Sequence, residues 1–270
     1  MTDLSGASFS NVDANVRACD FIAYLDLASS SFRPVKRLAL SLLQLKPSQF
    51  ALDLGCGCGD DLREMADLVV PGGLAFGVDR SALLIKEAQR RYSDGALPLK
   101  FEKGDAAHLR WSGGFFHACY ADRVLQHLND PDRVLREVHR VLKPKGRIVV
   151  VERDWGMVRV DAVDGTTTNT ILQRARAGIV NGWIGQQLSE KLRNAGFTAI
   201  KAYPHRINIE KFETANALLD LQTVLDHAVA ERLVERRSAD LWMADLLDRD
   251  RTGKFFASML LLAALGMKAG

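Results

Sequence analysis

Three aspartates follow short apolar runs in this chain, and their spacing outlines a ligand pocket. The first opens Asp53-Leu54-Gly55-Cys56-Gly57-Cys58-Gly59, a turn whose glycines reach backbone angles closed to other residues and let a ligand approach the main chain. Asp79 ends the next run, GLAFGVD, twenty residues past Gly59, where a carboxylate accepts hydrogen bonds from both hydroxyls of an adenosine ribose. Asp105, in Gly104-Asp105-Ala106, ends a third run, LKFEKGD. There a carboxylate can accept from an adenine amino group while the Ala106 backbone meets the ring edge. Any one of these acids taken alone reads more readily as a strand-end or helix-capping residue, but three aligned strand ends favour a bound adenosine.

A dinucleotide is the first adenosine ligand to weigh. The glycines read G-x-G-x-G, with Asp60 in place of the third glycine of a G-x-G-x-x-G pattern. Asp60 and Asp61 therefore stand where a helix N-terminus would receive a diphosphate, and two carboxylates there repel one. S-adenosylmethionine carries adenosine without phosphate, and its ammonium and sulfonium charges tolerate nearby acids, so it suits this turn better.

Strand ends can align only in a sheet, and the sequence supplies one. FALDL (50–54) reads as a short apolar strand, followed by a helix pattern from Asp60 to Val70. GLAFGVD is the second strand, after which Ser81 can cap a helix with Leu84, Ile85 and Ala88 on one face. LKFEKGD and FFHACYAD follow as strands three and four. Pro131 opens a helix burying Val134, Leu135, Val138, Val141 and Leu142, and Lys143-Pro144-Lys145-Gly146 ends it. RIVVVE (147–152) has the near-continuous β-branched pattern of a central parallel strand. Five such alternations predict a doubly wound α/β sheet. Farther on, helices are expected at 170–177 and 184–195, a sixth strand in FTAIKAY, and two helices over 206–253. The first would hold Leu218, Leu219 and Leu221, and the second Leu241, Trp242, Leu246 and Leu247. Periodicity alone leaves the run from Phe255 to Met267 open between strand and helix.

With these motifs in place, the chain resembles the class I S-adenosylmethionine-dependent methyltransferases, above all the small-molecule branch similar to the ubiquinone/menaquinone C-methyltransferases. ALDLGCGCGDD is similar to the family's first motif, GLAFGVDRS to its second and FEKGDAAHL to its third, while ADRVLQHLNDPDRVLREVHRVLKPKGRIVVVE covers its fourth and fifth. The resemblance spans residues 35–205 and departs at Pro144-Lys145-Gly146, where the family has Pro-Gly-Gly, a turn away from the site. It implies a Rossmann-like, doubly wound, seven-stranded sheet whose last strand, FFASMLLLAALGMK, is antiparallel. It also implies N-terminal helices (1–47) as a cap on a methyltransferase domain (48–270), with a helical insertion (about 206–253) between strands six and seven. S-adenosylmethionine is the implied cofactor, with S-adenosylhomocysteine as product. The implied cofactor contacts are Asp53, Gly55, Cys56, Gly57, Gly59, Asp79, Arg80, Gly104, Asp105, Ala106, Ala121 and Gln126. Gly55 and Ala121 would hold the methionine moiety, Asp79 the ribose, and Asp105 with Ala106 the adenine.

Methyl transfer is an in-line displacement at carbon, so the protein mainly aligns a nucleophile and excludes water, without needing a metal. An acceptor that carries a proton also requires a base, and histidine serves near neutral pH. His127, in Arg123-Val124-Leu125-Gln126-His127, follows the fourth strand on the rim facing the methyl. Some O-methyltransferases of the branch resemble it in placing a histidine here with an acid after the fifth strand, a part open to Glu152 or Asp154. The alternative is that His127 lines the pocket or caps its loop. His117 and His139, within strand and helix patterns, read as structural. Tyr24 falls in an N-terminal helix able to close over the cofactor.

The composition fits this picture. Of 270 residues, 47% are hydrophobic and 26% charged, with mean hydropathy −0.05, which excludes wholesale disorder. The net charge is +3, and residues 206–253 hold seven basic against ten acidic residues, a poor nucleic-acid surface. A small, partly apolar acceptor is expected, with secondary metabolism as its setting, and the helical cover is also a candidate homodimer surface. The run from Met259 to Leu265 is too short to span a bilayer. MTDLSGASFSNVD has no secretory pattern, so a cytoplasmic chain with free thiols at Cys19, Cys56, Cys58 and Cys119 is expected, and the cysteine spacing argues against a metal site. Two other readings remain at this stage: a nicotinamide oxidoreductase, and a cofactor-binding or partner protein without catalysis.

Overall fold

The apolar runs become the strands of one seven-stranded sheet ordered β3-β2-β1-β4-β5-β7-β6. A computed structural model describes residues 12–14 and 18–270. β1 (Phe50–Leu54) pairs in parallel with β2 (Leu74–Asp79) on one side and β4 (Phe116–Asp122) on the other. β3 (Leu99–Lys103) extends the sheet beyond β2, and β5 (Leu142–Val160) beyond β4. Strand order reverses between β1 and β4, and that reversal opens a crevice at the carboxyl ends of the strands. β7 (Ala257–Met267) lies antiparallel between β5 and β6 (Thr198–Ile209), so Phe255 to Met267 ends as a strand.

Helices cover both faces. α1 (Ala18–Ser31), α2 (Arg33–Leu43) and α3 (Asp60–Val69) precede α4 (Ala82–Arg91), whose N-cap Ser81 accepts from Leu84 N at 3.1 Å as its sequence suggests. α5 (Pro131–Val141) begins with Asp130 accepting from Arg133 N and buries Val134, Leu135, Val138 and Val141. α5 and α7 (Ile184–Asn194) pack a core on one face. α2, α3, α6 (Gly165–Ala177) and the later helices pack a larger one on the other. Residues 1–11 and 15–17 of the expected N-terminal cap lie outside the described residues, as does the Cys19 side chain. No helix among the described residues is long and apolar enough to cross a membrane.

The structure revises three expectations. The fifth strand continues past Glu152 to Val160, pairing Arg153 with Leu261 and Arg159 with Ser258 of β7; the charges of Arg153 and Asp154 disguise it as a strand end. β6 likewise runs on to Ile209, so the insertion starts later than 206 and forms three helices, α8 (Phe212–Leu219), α9 (Leu221–Ala230) and α10 (Arg236–Arg251). Asp220, left-handed at φ 52°, divides α8 from α9, a conformation that aspartate tolerates better than most residues. On α10, Trp242 and Leu246 are buried, but Leu241 and Leu247 face outward.

Candidate active site

The crevice holds a cavity of about 830 Å³ floored by the glycine turn. Gly55 and Gly57 take φ 69° and 52°. A β-carbon on Gly55 would stand 2.5 Å from Val124 Cγ2, so no larger residue fits there. Gly55 N and Cys56 N donate to Val78 O at 2.7 and 3.1 Å, tying the turn to β2. Asp79 braces it from the side: Oδ2 accepts from Gly57 N at 3.0 Å, and Oδ1 from Ser81 N at 2.8 Å. Burial pushes the Asp79 carboxyl up in spite of these bonds. Asp105, which also lines the cavity, accepts from Ala107 N at 2.9 Å and meets His108 Nδ1 at 2.9 Å, contacts that hold its carboxyl below the usual range.

Of the sequence-predicted residues, Gly55, Gly57, Asp79, Arg80, Gly104, Asp105, Ala106, Gln126 and His127 line this cavity. Asp53, Cys56 and Gly59 line a small hollow behind the turn instead. Ala121 is buried in β4. Val12 and Asp13 also line the cavity, where Asp13 accepts from Ser81 Oγ and from Ala82 N. Cys56, Cys58 and Cys119 are free, and burial pushes the Cys58 thiol up to about 12. No group of His, Cys, Asp and Glu among the described residues is arranged to hold a metal ion.

Behind the turn lies a buried charge cluster that sequence reasoning missed. Lys36 Nζ, from α2, reaches Asp61 at 2.6 Å and Asp122 at 3.1 Å, and Arg123 pairs with Asp122 at 2.9 Å. Burial opposes the charge on Lys36, but Asp122 and Asp61 outweigh it and hold the amine above the usual lysine range. Asp53 completes the cluster, with Oδ2 buried and without a partner. Burial and the neighbouring Asp61 charge push its carboxyl well up. The cluster thus sets three acids against two bases. Asp122 was legible as a strand end, whereas no local pattern marks Lys36.

Another part of the cavity wall is built by the turn after β4. Arg123, at φ 54°, donates its backbone N to Val151 O at 2.7 Å, and a 3-10 turn over Leu125–His127 follows. Glu152 sits beneath: Oε1 accepts from Leu125 N at 2.6 Å, and burial raises its carboxyl to about 8. Asp154 Oδ1 accepts from Gly156 N at 3.0 Å and Gln186 Nε2 at 2.9 Å. Both acids therefore brace backbone and loop. His127 instead meets Gln126, whose Nε2 stands 3.1 Å from His127 Nε2. Trp155 Nε1 donates to Gln126 Oε1 at 2.9 Å, which turns the amide nitrogen toward the ring. His127 Nε2 is then the acceptor, and the neutral ring carries its hydrogen on Nδ1. Tyr24 of α1 lines the cavity and interacts with Arg123 and Arg153. His117 and His139 serve structure: His117 Nδ1 accepts from Phe50 N at 3.0 Å, and the His139 ring packs edge-on against Phe197.

Comparison with known proteins agrees with this geometry. Residues 45–196 match the family model described as a methyltransferase domain. The chain is 33% identical over 264 residues, 97% of its length and 74% of the relative's, to an uncharacterised 37.1 kDa protein in transposon TN4556 of Streptomyces fradiae. It is 34% identical over 112 residues to a demethylmenaquinone methyltransferase of Lactobacillus johnsonii, covering 41% of this chain and 46% of that one. In fold it is similar to a phosphoethanolamine N-methyltransferase of Haemonchus contortus solved with S-adenosyl-L-methionine, at TM-score 0.60 and 16% identity over 97% of this chain and 60% of that one. On the match to more than half of its length, the chain belongs to the methyltransferase-domain family.

Proposed function

We propose that this protein transfers the methyl group of S-adenosylmethionine to a small-molecule acceptor. The observation that carries this reading is the unpartnered Asp53 oxygen in a buried cluster with a surplus acid, placed behind a glycine cradle that admits no side chain at Gly55. A cationic amino-acid group at the turn satisfies that surplus, and an adenosine reaches Asp79 and Asp105 on the same cavity wall. A diphosphate would meet Asp60 and Asp61 in the first turn of α3, which disfavours a nicotinamide dinucleotide.

Bound there, S-adenosylmethionine supplies a methyl group on a sulfonium leaving group. Gly55 and Gly57 would present backbone to its methionine moiety, Asp79 would accept from the ribose hydroxyls, and Asp105 with Ala106 would meet the adenine. Gln126 fixes the acceptor end through Trp155. His127, its Nε2 already accepting from Gln126, is assigned to orienting the acceptor by hydrogen bonding. Glu152 and Asp154 hold the loops that shape this end. By their names, two of the relatives methylate demethylmenaquinone and 2-phytyl-1,4-naphthoquinone, which supports a non-polymeric acceptor, and the mildly acidic insertion supports one that is not a nucleic acid.

Titration calorimetry tests the assignment. S-adenosylhomocysteine should bind, and Asp79→Ala should weaken it at least tenfold, the loss of about 1.5–3 kcal/mol expected for a charged hydrogen-bonding partner. Binding of NAD(P) with no binding of S-adenosylhomocysteine would overturn it.

A further inference from the structure

Arg153 is a buried guanidinium without a carboxylate. It is 1% exposed on β5, and Nη1 donates to Leu218 O at 3.1 Å. Its Nε and Nη2 close no conventional hydrogen bond, and among the described residues it forms no ion pair. Its flanks are aromatic, with the Trp155 ring at 4.4 Å and the Phe32 ring at 5.9 Å. A charge this buried calls for a nearby anion. The acid that interacts with it most strongly is the Tyr24 phenol, ahead of the Asp122 carboxylate; Tyr24 also interacts with Arg123 and borders the cavity.

We infer that Tyr24 is the proton acceptor of the reaction, its phenolate oxygen held between the Arg123 and Arg153 guanidiniums at the acceptor end of the cavity. Burial opposes ionisation of Tyr24, and the charges of Arg153 and then Arg123 outweigh it, holding the phenol below its ordinary value. The charged and titratable groups that face this position come from four elements. The β4 turn contributes Arg123, paired with Asp122, and His127. Behind them α2 contributes Lys36, engaged by Asp61 and Asp122. α8, packed on α1, carries the exposed Glu213, and Asp13 is occupied by Ser81 and Ala82. Competing bases are spoken for: His127 Nε2 accepts from Gln126, and Glu152 and Asp154 hold backbone.

The inference rests on the methyl-transfer reading. As the acceptor's electron pair forms its bond to the methyl carbon, its proton passes to Tyr24 Oη, and the pair of the broken carbon–sulfur bond stays on sulfur. The phenolate and sulfonium charges vanish together, and Tyr24 returns its proton to water. Arg153 is a positioning residue in this scheme.

The test begins without cofactor, by near-ultraviolet difference absorbance of the free protein across pH. One of the four tyrosines should ionise below the ordinary range of about 10, Tyr24→Phe should remove that step, and Arg153→Met should move it upward while Arg153→Lys restores part of it. In turnover, kcat/KM should rise with pH through the same step, shift with it in Arg153→Met, and fall about 100-fold or more in Tyr24→Phe. Absence of the step, or its persistence in Tyr24→Phe, overturns the inference. So does a Tyr24→Phe enzyme with an unchanged rate and pH limb. Failure of the methyl-transfer reading is recognised separately, as absence of methylated product or of S-adenosylhomocysteine binding, whatever the absorbance shows.

Discussion

The two ends of the cavity are made in different ways. Around the glycine turn, backbone does most of the work: Gly55 and Gly57 shape the cradle, and Asp79 and Asp105 follow neighbouring parallel strands, Asp79 bracing the turn from the adjacent strand and Asp105 its own loop. At the acceptor end, side chains from α1, the β4 turn and β5 converge, and Tyr24, Arg123, Arg153 and Trp155 meet across more than a hundred residues of chain. The first end is a local construction repeated along the sheet. The second exists only after the helical cover has closed on it. That division suits a protein whose methyl donor is constant and whose acceptor is particular to it.

Lys36 offers the strongest test of this contrast, because a residue of the cover neutralises acids of the cofactor end. Lys36→Met should destabilise the protein by about 3–5 kcal/mol, the usual result of leaving buried acids unpaired, read as a lower urea midpoint. Adding Asp61→Asn should recover part of the loss. If Lys36→Met is neutral, the two ends are independent and the contrast is deeper than drawn here.

Gly55→Leu addresses the cradle itself. The clash with Val124 should weaken S-adenosylhomocysteine at least 100-fold in calorimetry and cost about 1–3 kcal/mol of stability from overpacking.

Glu152 gives a pH signature of the turn between the ends. Its folded-state carboxyl, near 8, lies above the ordinary glutamate value, so the folded protein holds this proton more tightly than the unfolded chain. Its contribution to stability is complete below about pH 4.3 and declines as pH rises toward 8. Glu152→Gln, which keeps an acceptor for Leu125 N, should remove that slope in a series of urea melts. The smallest effect is expected at Ser81, where Ser81→Ala loses the α4 cap and the Asp13 contact for about 1 kcal/mol, seen as a modest fall in Tm.

How much could be read beforehand follows the same line. The strand-end acids were legible because parallel strands reset the chain to the same level each time, so position along a run predicts position in the pocket. The sheet order and the antiparallel final strand followed from the family resemblance. The true end of β5 was hidden because Arg153 and Asp154 look like surface residues until β7 pairs with them and the helical cover buries them. The Trp155–Gln126–His127 contacts depend on that continuation, and with them the tautomer of His127. Asp220 broke one expected helix into two because a left-handed residue leaves no trace in apolar spacing.

By itself the sequence determined the β–α alternation, the glycine turn, the acids beside it and the kind of ligand they suit, all of which depend on contacts within a few residues or between neighbouring strands. Only the tertiary structure decided which charges are buried and which distant side chains meet at the cavity. Burial and the proximity of distant charges set those properties, and neither exists until the sheet and its helices have packed.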